Sequence, residues 1–152
     1  KIFFGTFPSE VRPEFITQES VELIRKYCAN NSLSLGAQSG SDHILKEIRR
    51  GHTVEDSISA VECCIENQIV PAVDFIFGFP TETEEDQEKS LDLVRWICRK
   101  GGTVRAHYLT PLPGTPYSSV TPAEVSDRVK SELGKLALDG KLTGYWEKHR
   151  SI

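Results

Sequence analysis

Methionine is missing from all 152 residues. A translated chain begins with one, whereas this chain opens on Lys1, so the sequence reads as a piece of a longer protein. No apolar run approaches the ~20 residues that a bilayer-spanning helix needs, and no basic, apolar, small-residue leader opens the chain. Those absences exclude a membrane-spanning reading and point to the cytoplasm. Positive charge is not in excess either: 18 Lys and Arg stand against 22 Asp and Glu, for a net charge of −4, and they are scattered. The stripe expected of a duplex-binding module is lacking, which argues against nucleic acid as a primary partner.

Cysteine is sparse, and its spacing is uninformative as a metal pattern. Of the 4 cysteines, Cys28, Cys63, Cys64 and Cys98, the only close pair is adjacent, and neighbouring side chains ligate one metal poorly. All fall in predicted helices, with Cys28, Cys64 and Cys98 on apolar stripes. They read as buried free thiols in a reducing compartment, and no metal ligand is expected among them.

What is present is a globular composition, 38% apolar and 26% charged, in a length typical of one domain. Apolar β-like runs alternate with amphipathic helical stretches. Ile2 to Thr6 reads as a short buried strand, followed by a helix from about Thr17 with Val21, Ile24 and Cys28 at helical spacing. Ser32 to Ala37 reads as the next strand, and Ser41 can cap a short helix with Ile44, Leu45 and Ile48 on one face, ended by Gly51. Thr53 starts another helix, with Asp56 at the capping-box position and Val54, Ile58, Val61 and Ile65 on its apolar face.

Ile69 to Phe79 is almost wholly apolar, as a strand covered on both faces of a parallel sheet would be. Thr83 then precedes three acids, and Arg99 and Lys100 precede Gly101, bounding the most sharply marked helix in the chain. Thr103 to Thr110 reads as the last strand. Thr121-Pro-Ala-Glu124 matches a capping box with Pro at the first helical position, opening a helix whose buried stripe is Val125, Val129, Leu133 and Leu136. About four strands alternating with helices imply an α/β fold with parallel pairing, either part of a barrel or an open doubly wound sheet. Four strands cannot close a barrel, so such a piece leaves sheet edges exposed unless further chain covers them.

Polar loops follow the strands at nearly even spacing: Leu33-Ser-Leu-Gly-Ala-Gln-Ser-Gly40, Asp74-Phe-Ile-Phe-Gly-Phe-Pro-Thr-Glu-Thr83 and Thr110-Pro-Leu-Pro-Gly-Thr-Pro116. In a parallel sheet the strand C-terminal ends share one side, so these loops line one crevice. Gln38 and Ser39 place an amide and a hydroxyl there, and Gly40 would let backbone approach a ligand. Arg50 can pair with a carboxylate through its planar guanidinium. The acids Glu84, Glu85 and Asp86 disfavour a phosphate at the next helix N-terminus. His107 and Leu109 share a strand face with Arg105, and Tyr108 takes the other. Asp74, costly to bury alone, is either a pocket carboxylate or the partner of a base such as Arg105. His52 reads as a neutral residue at a helix entrance, with no second His at ligand spacing.

The ordered set Gly36-Ala-Gln-Ser-Gly40, Arg50-Gly-His-Thr-Val-Glu-Asp56, Asp74-Phe-Ile-Phe-Gly-Phe-Pro-Thr-Glu-Thr-Glu-Glu-Asp86 and Pro111-Leu-Pro-Gly-Thr-Pro116 resembles the C-terminal half of the radical S-adenosylmethionine enzymes. The likeness covers residues 1–117 and is closest to archaeal members with a cobalamin-binding domain upstream; residues 118–152 would form a helical C-terminal extension. The resemblance implies a partial (β/α)6 barrel in which a 4Fe–4S cluster cleaves S-adenosylmethionine to a 5′-deoxyadenosyl radical. It implies that Gln38 and Ser39 lie near the ribose and methionine, and that Arg50 meets the methionine carboxylate. Ile76 and Gly78 would lie by the adenine, with the backbone of Tyr108 and Leu109 at the adenine edge. Ser9 and Arg12 are lesser candidates by the same opening.

The Cys-x-x-x-Cys-x-x-Cys motif that holds the family's cluster does not occur in the sequence, nor does the Gly-Gly-Glu segment after the second strand. The resemblance therefore implies that the cluster ligands lie outside these residues, that the N-terminal half of the barrel is the chain's first partner, and that the segment alone is inactive. Cobalamin is implied only for the parent, and the substrate, small or macromolecular, is unspecified. Two other readings compete: a cluster-free (β/α) barrel enzyme using Asp74, His107 and Glu82 as acid–base groups, and a degenerate barrel serving as a binding module.

Overall fold

The computed structural model describes residues 11–27, 31–109 and 121–144. The expected first strand, Ile2 to Thr6, with Ser9, Cys28 and the Thr110 to Pro116 turn, lies outside the described residues. Helix α1 (Gln18–Tyr27) leads to β1 (Ser32–Gln38), and α2 (Asp42–Glu47) and α3 (Val54–Glu66) lead to β2 (Val70–Phe77). Helix α4 (Glu84–Lys100) connects to β3 (Thr103–Tyr108), and α5 (Asp127–Leu138) to a two-residue strand, β4 (Leu142–Thr143).

The sheet runs β1-β2-β3-β4 with every pair parallel. Each crossover steps to the next strand in the same direction. Since parallel crossovers are right-handed, all connecting helices fall on one face of the sheet. That is the layering of a barrel wall rather than of a doubly wound sheet, whose strand order reverses. An isolated bridge from Val11 to Leu35 continues the parallel order beyond β1.

Side-chain alternation sorts the two faces. Leu33, Leu35, Ala37, Val73, Phe75, Phe77, Val104 and Ala106 are buried toward the helices, against Val21 and Ile24 of α1, Val61 and Cys64 of α3, Leu91, Val94 and Ile97 of α4, and Val129 and Leu133 of α5. This single core includes the stripe of the C-terminal extension. The other face carries Ser34, Asp74, Ile76, Arg105 and His107. Adjacent strands pair Asp74 with Arg105 and Ile76 with His107. Asp74 is resolved as the partner of Arg105, whose Nε and Nη2 reach its two carboxylate oxygens at 2.6 and 3.0 Å while Nη2 also reaches Ser34 Oγ at 3.3 Å.

The helix signals read from sequence form as expected at α3 and α4, each opened by a complete capping box, Thr53 with Asp56 and Thr83 with Asp86. Gly101 ends α4 in the left-handed conformation, φ 103°. The extension departs from expectation in two places. Thr121-Pro-Ala-Glu124 caps nothing: α5 begins after Ser126, whose hydroxyl accepts the Val129 N–H at 3.2 Å. Ala123, the Glu124 carbonyl and the Ser126 N–H instead make tertiary hydrogen bonds. The extension is also not wholly helical, since β4 pairs Leu142 with Val104 and Thr143 with Arg105. Gly144 then comes so close to the backbone of Ala106 that no Cβ would fit.

No helix among the described residues is long and apolar enough to cross a membrane. Cys64 and Cys98 are buried free thiols and Cys63 is partly buried. Burial, with Cys63 adjacent, pushes the Cys64 thiol up to about 12.

Candidate functional site

At the end of β1 the chain turns sharply. Gln38 is buried with φ 69°, in the left-handed region that a non-glycine residue enters at a cost of order 1–3 kcal/mol. The following loop is sewn to α4. Ser39 Oγ lies 3.3 Å from Ser90 Oγ and accepts the Ser41 N–H at 3.1 Å, and the Gly40 N–H donates to Ser90 Oγ at 2.8 Å. A Cβ on Gly40 would sit 2.6 Å from Lys89 O and from Ser90 Cα. Gly40, expected to admit a ligand, instead admits a helix. Ser41 does not cap α2 with its side chain; its hydroxyl donates to Asp86 Oδ1 at 2.6 Å. Burial would raise the Asp86 carboxyl, but hydrogen bonds from Ser41, Thr83 and His43 outweigh it and hold the group low.

Arg50 lies beside the same strand end. Its Nη2 donates to Gly36 O at 3.2 Å, and its carbonyl accepts from the Arg12 guanidinium, which also pairs with Glu14 at 3.0 Å. Arg50 Nε is buried without a hydrogen-bond partner. A buried N–H without a partner carries an unmet demand for an acceptor, and guanidinium geometry matches a carboxylate. His52 Nε2 lies 3.0 Å from Ala37 O in a buried position, in keeping with the structural role read from its sequence context.

After β2, Gly78 takes φ 99°. Its N–H donates to Glu82 Oε1 at 2.7 Å, and the Glu82 N–H donates to Phe79 O at 2.8 Å, closing the loop on itself. Burial is the main reason the Glu82 carboxyl is pushed up to about 7; hydrogen bonds from Gly78 and Gln87 oppose this, and Asp86 adds to it. At the end of β3, the Leu109 N–H donates to Phe77 O at 2.8 Å. Tyr108 turns its ring toward Gly78 and its hydroxyl to Ala123 O at 3.0 Å.

The fold thus sets Gln38, Gly78 and Leu109 at the same end of three adjacent strands, with Ile76 on the open face and Arg50 beside β1. The Ser39 hydroxyl and the Tyr108 ring are committed to α4 and to residue 123, leaving their backbones at the strand ends. The acid–base set Asp74, His107 and Glu82 is not assembled: Asp74 is paired with Arg105, and Glu82 is buried against the Gly78 amide. Sequence reasoning missed Gln87 and Ser90. The signal was there, because both lie on the buried face of α4, at the helical spacing of Leu91 and Val94, where a polar side chain must have a partner.

A one-sided parallel wall whose polar loops gather at the strand C-terminal ends is the architecture of a (β/α) barrel enzyme half. The family model described as the Radical SAM superfamily matches residues 2–94, and the chain belongs to that superfamily. Among curated relatives, the tRNA-2-methylthio-N(6)-dimethylallyladenosine synthase of Ruegeria sp. (strain TM1040) is 42% identical over 103 residues, 64% of this chain and 23% of that protein. The enzyme of the same name from Aquifex aeolicus (strain VF5) is 35% identical over 132 residues, 84% of this chain and 29% of that protein. The chain therefore spans about a quarter of the length of these relatives. Of the solved structures, Methanocaldococcus infernus Elp3 superposes with TM-score 0.65 and 20% identity over 93% of this chain and 35% of its own. Coproporphyrinogen III oxidase (HemN) from Escherichia coli gives TM-score 0.63 and 18% identity over 84% of this chain and 30% of its own. These two likenesses show the fold.

Proposed function

We propose that the chain forms the C-terminal wall of the S-adenosylmethionine site in a radical S-adenosylmethionine enzyme, with the 4Fe–4S cluster bound by residues outside this segment. The observation that carries the reading is the buried, unpartnered Nε of Arg50 beside the end of β1, in a chain of this superfamily. Arg50 receives the methionine carboxylate; a hydrogen bond to a charged group is worth about 1.5–3 kcal/mol. The Gln38–Ser39 turn borders the ribose and methionine. Ile76 and Gly78 offer apolar contact to the adenine, and the Tyr108 and Leu109 backbone meets its edge. When bound, the cluster supplies the electron that cleaves S-adenosylmethionine to a 5′-deoxyadenosyl radical, and this chain's residues bind and orient the adenosyl and methionine groups.

Two extensions remain part of the proposal. The relatives named tRNA-2-methylthio-N(6)-dimethylallyladenosine synthase make methylthiolation of tRNA one candidate reaction, but the scattered basic residues here offer no RNA-binding stripe. RNA contacts would then come from other parts of the protein, in the cytoplasm. Cobalamin, bound in the solved methyltransferase TsrM from Kitasatospora setae, would be held by an upstream domain; corrinoid absorbance in the complete protein checks this.

The test is anaerobic reconstitution of the complete protein carrying this segment, reduction with dithionite, and detection of 5′-deoxyadenosine from S-adenosylmethionine. Formation of 5′-deoxyadenosine supports the reading. Cluster uptake without its formation, or no cluster absorbance at all, refutes it.

A further inference from the structure

Residues 123–126 belong to no helix or strand, yet four of their backbone groups are held by distant parts of the chain. The Ala123 N–H donates to Gly78 O at 2.9 Å, and Ala123 O accepts the Tyr108 hydroxyl at 3.0 Å. Gln87 Nε2 donates to Glu124 O at 2.8 Å, and Gln87 Oε1 accepts the Ser126 N–H at 2.9 Å. Gln87 is only 1% exposed; its amide binds this short length of backbone at both its oxygen and its nitrogen, and it also faces the Glu82 carboxyl as a donor.

Two of these groups, Tyr108 and Ala123, lie against Gly78. Its N–H is taken by Glu82 and its C=O by Ala123, so the peptides on both sides are held, one from within the loop and one from the extension. A Cβ on Gly78 would meet the Tyr108 ring at 3.1 Å and Ala123 O at 3.2 Å, which shows how closely the three groups approach. The far end of the segment is equally fixed. Ser126 caps α5, and α5 is docked on α4 through Arg95–Glu132 at 2.7 Å, Arg128–Glu88 at 3.2 Å and the buried Val129 and Leu133.

We propose that residues 123–126 are a positioning strap for the Gly78 loop, fastened by Gln87 and Tyr108, and that the C-terminal extension is thereby part of the adenosyl-binding site. The inference rests on the reading of Ile76 and Gly78 as adenine-side residues. The superfamily match ends at residue 94, so the strap, like β3 and Tyr108, is supplied by sequence outside the matched region. Gln87 and Tyr108 act as positioning residues through the loop.

The test uses the complete, reconstituted protein with Tyr108→Phe, which deletes one hydroxyl and keeps the ring, and Gln87→Met, which keeps the volume and deletes both strap hydrogen bonds together with the donor facing Glu82. S-adenosylmethionine is titrated while the cluster is followed by absorbance and EPR. The strap predicts a dissociation constant raised about threefold in Tyr108→Phe and about tenfold in Gln87→Met, as loss of one or two ordinary hydrogen bonds implies. Cluster content and the EPR spectrum at saturating S-adenosylmethionine stay those of wild type; general unfolding would lower both. If Gln87→Met loses its cluster, Tyr108→Phe decides. Wild-type affinity in Tyr108→Phe overturns the strap and leaves the proposed function standing. Cluster uptake without S-adenosylmethionine binding in the wild type overturns both.

Discussion

Glu82 offers the sharpest stability prediction, because a buried carboxyl raised from 4.5 to about 7 makes folding depend on pH in a definite direction. Such a group holds its proton more tightly folded than unfolded. Its folded form is therefore favoured below the unfolded value, and that advantage is lost as pH rises through the folded value. The rise corresponds to about 3 kcal/mol between charged and neutral forms, an upper bound on the cost of ionising Glu82 in place. Groups facing it, Asp86, Tyr108 and the Gly78 and Gln87 donors, are unchanged in Glu82→Gln, which keeps the shape and the acceptor for Gly78 N–H. Paired denaturation curves of wild type and Glu82→Gln should nearly coincide at pH 4, below the unfolded value. At pH 8 the variant should be more stable by about 1–3 kcal/mol, the gain developing between pH 4.5 and about 7. A difference that stays constant from pH 5 to 8, or a variant less stable at pH 8, would refute the reasoning.

Gly40→Ala forces a methyl group to within 2.6 Å of the α4 backbone and should cost about 1–3 kcal/mol or more, read as a lowered melting temperature. Asp74→Ala removes the carboxylate paired with Arg105 and leaves Ser34 Oγ as an acceptor; with the Arg105 side chain 21% exposed, the loss should fall near or below the low end of the usual ~3–5 kcal/mol, and Asp74→Asn should recover part of it. Thr83→Ala removes the N-cap of α4 and should lower stability by about 1 kcal/mol by denaturation, with added fraying at Glu84 and Glu85 in hydrogen exchange.

Features governed by neighbours in sequence were legible, and features governed by distant neighbours were not. The capping box at Thr53, the acids that follow Thr83 and the Gly101 stop act on helix ends from within three or four residues, so pattern alone locates these ends; the Thr83–Asp86 box is added by the structure. The Asp74–Arg105 pair was within reach because strand alternation and the cost of a lone buried carboxylate leave few partners. Thr121-Pro-Ala-Glu124 has the letters of a helix start, but Gly78, Tyr108 and Gln87 claim its backbone first, and no local pattern records that claim. Strand β4 is two residues between Gly140 and Gly144, too short for any periodicity; only its pairing with Val104 and Arg105 makes it a strand. Ser41 shows the same limit, since Asp86 lies 45 residues away and takes the hydroxyl that a local cap would have used. At the site, the polar strand ends were visible in the sequence. The direction of each side chain was not, and the sewing of Ser39 and Gly40 to α4 depends on the depth at which that helix packs.

Arg50, with its buried, unpartnered Nε, carries the proposed contact to S-adenosylmethionine. Titrating S-adenosylmethionine into the reconstituted complete protein, wild type against Arg50→Ala, tests it directly. The account predicts binding in the wild type and a dissociation constant about 10- to 100-fold higher in the variant, with cluster content unchanged, as loss of a charge-assisted hydrogen bond requires. Equal affinity in the two proteins would contradict it.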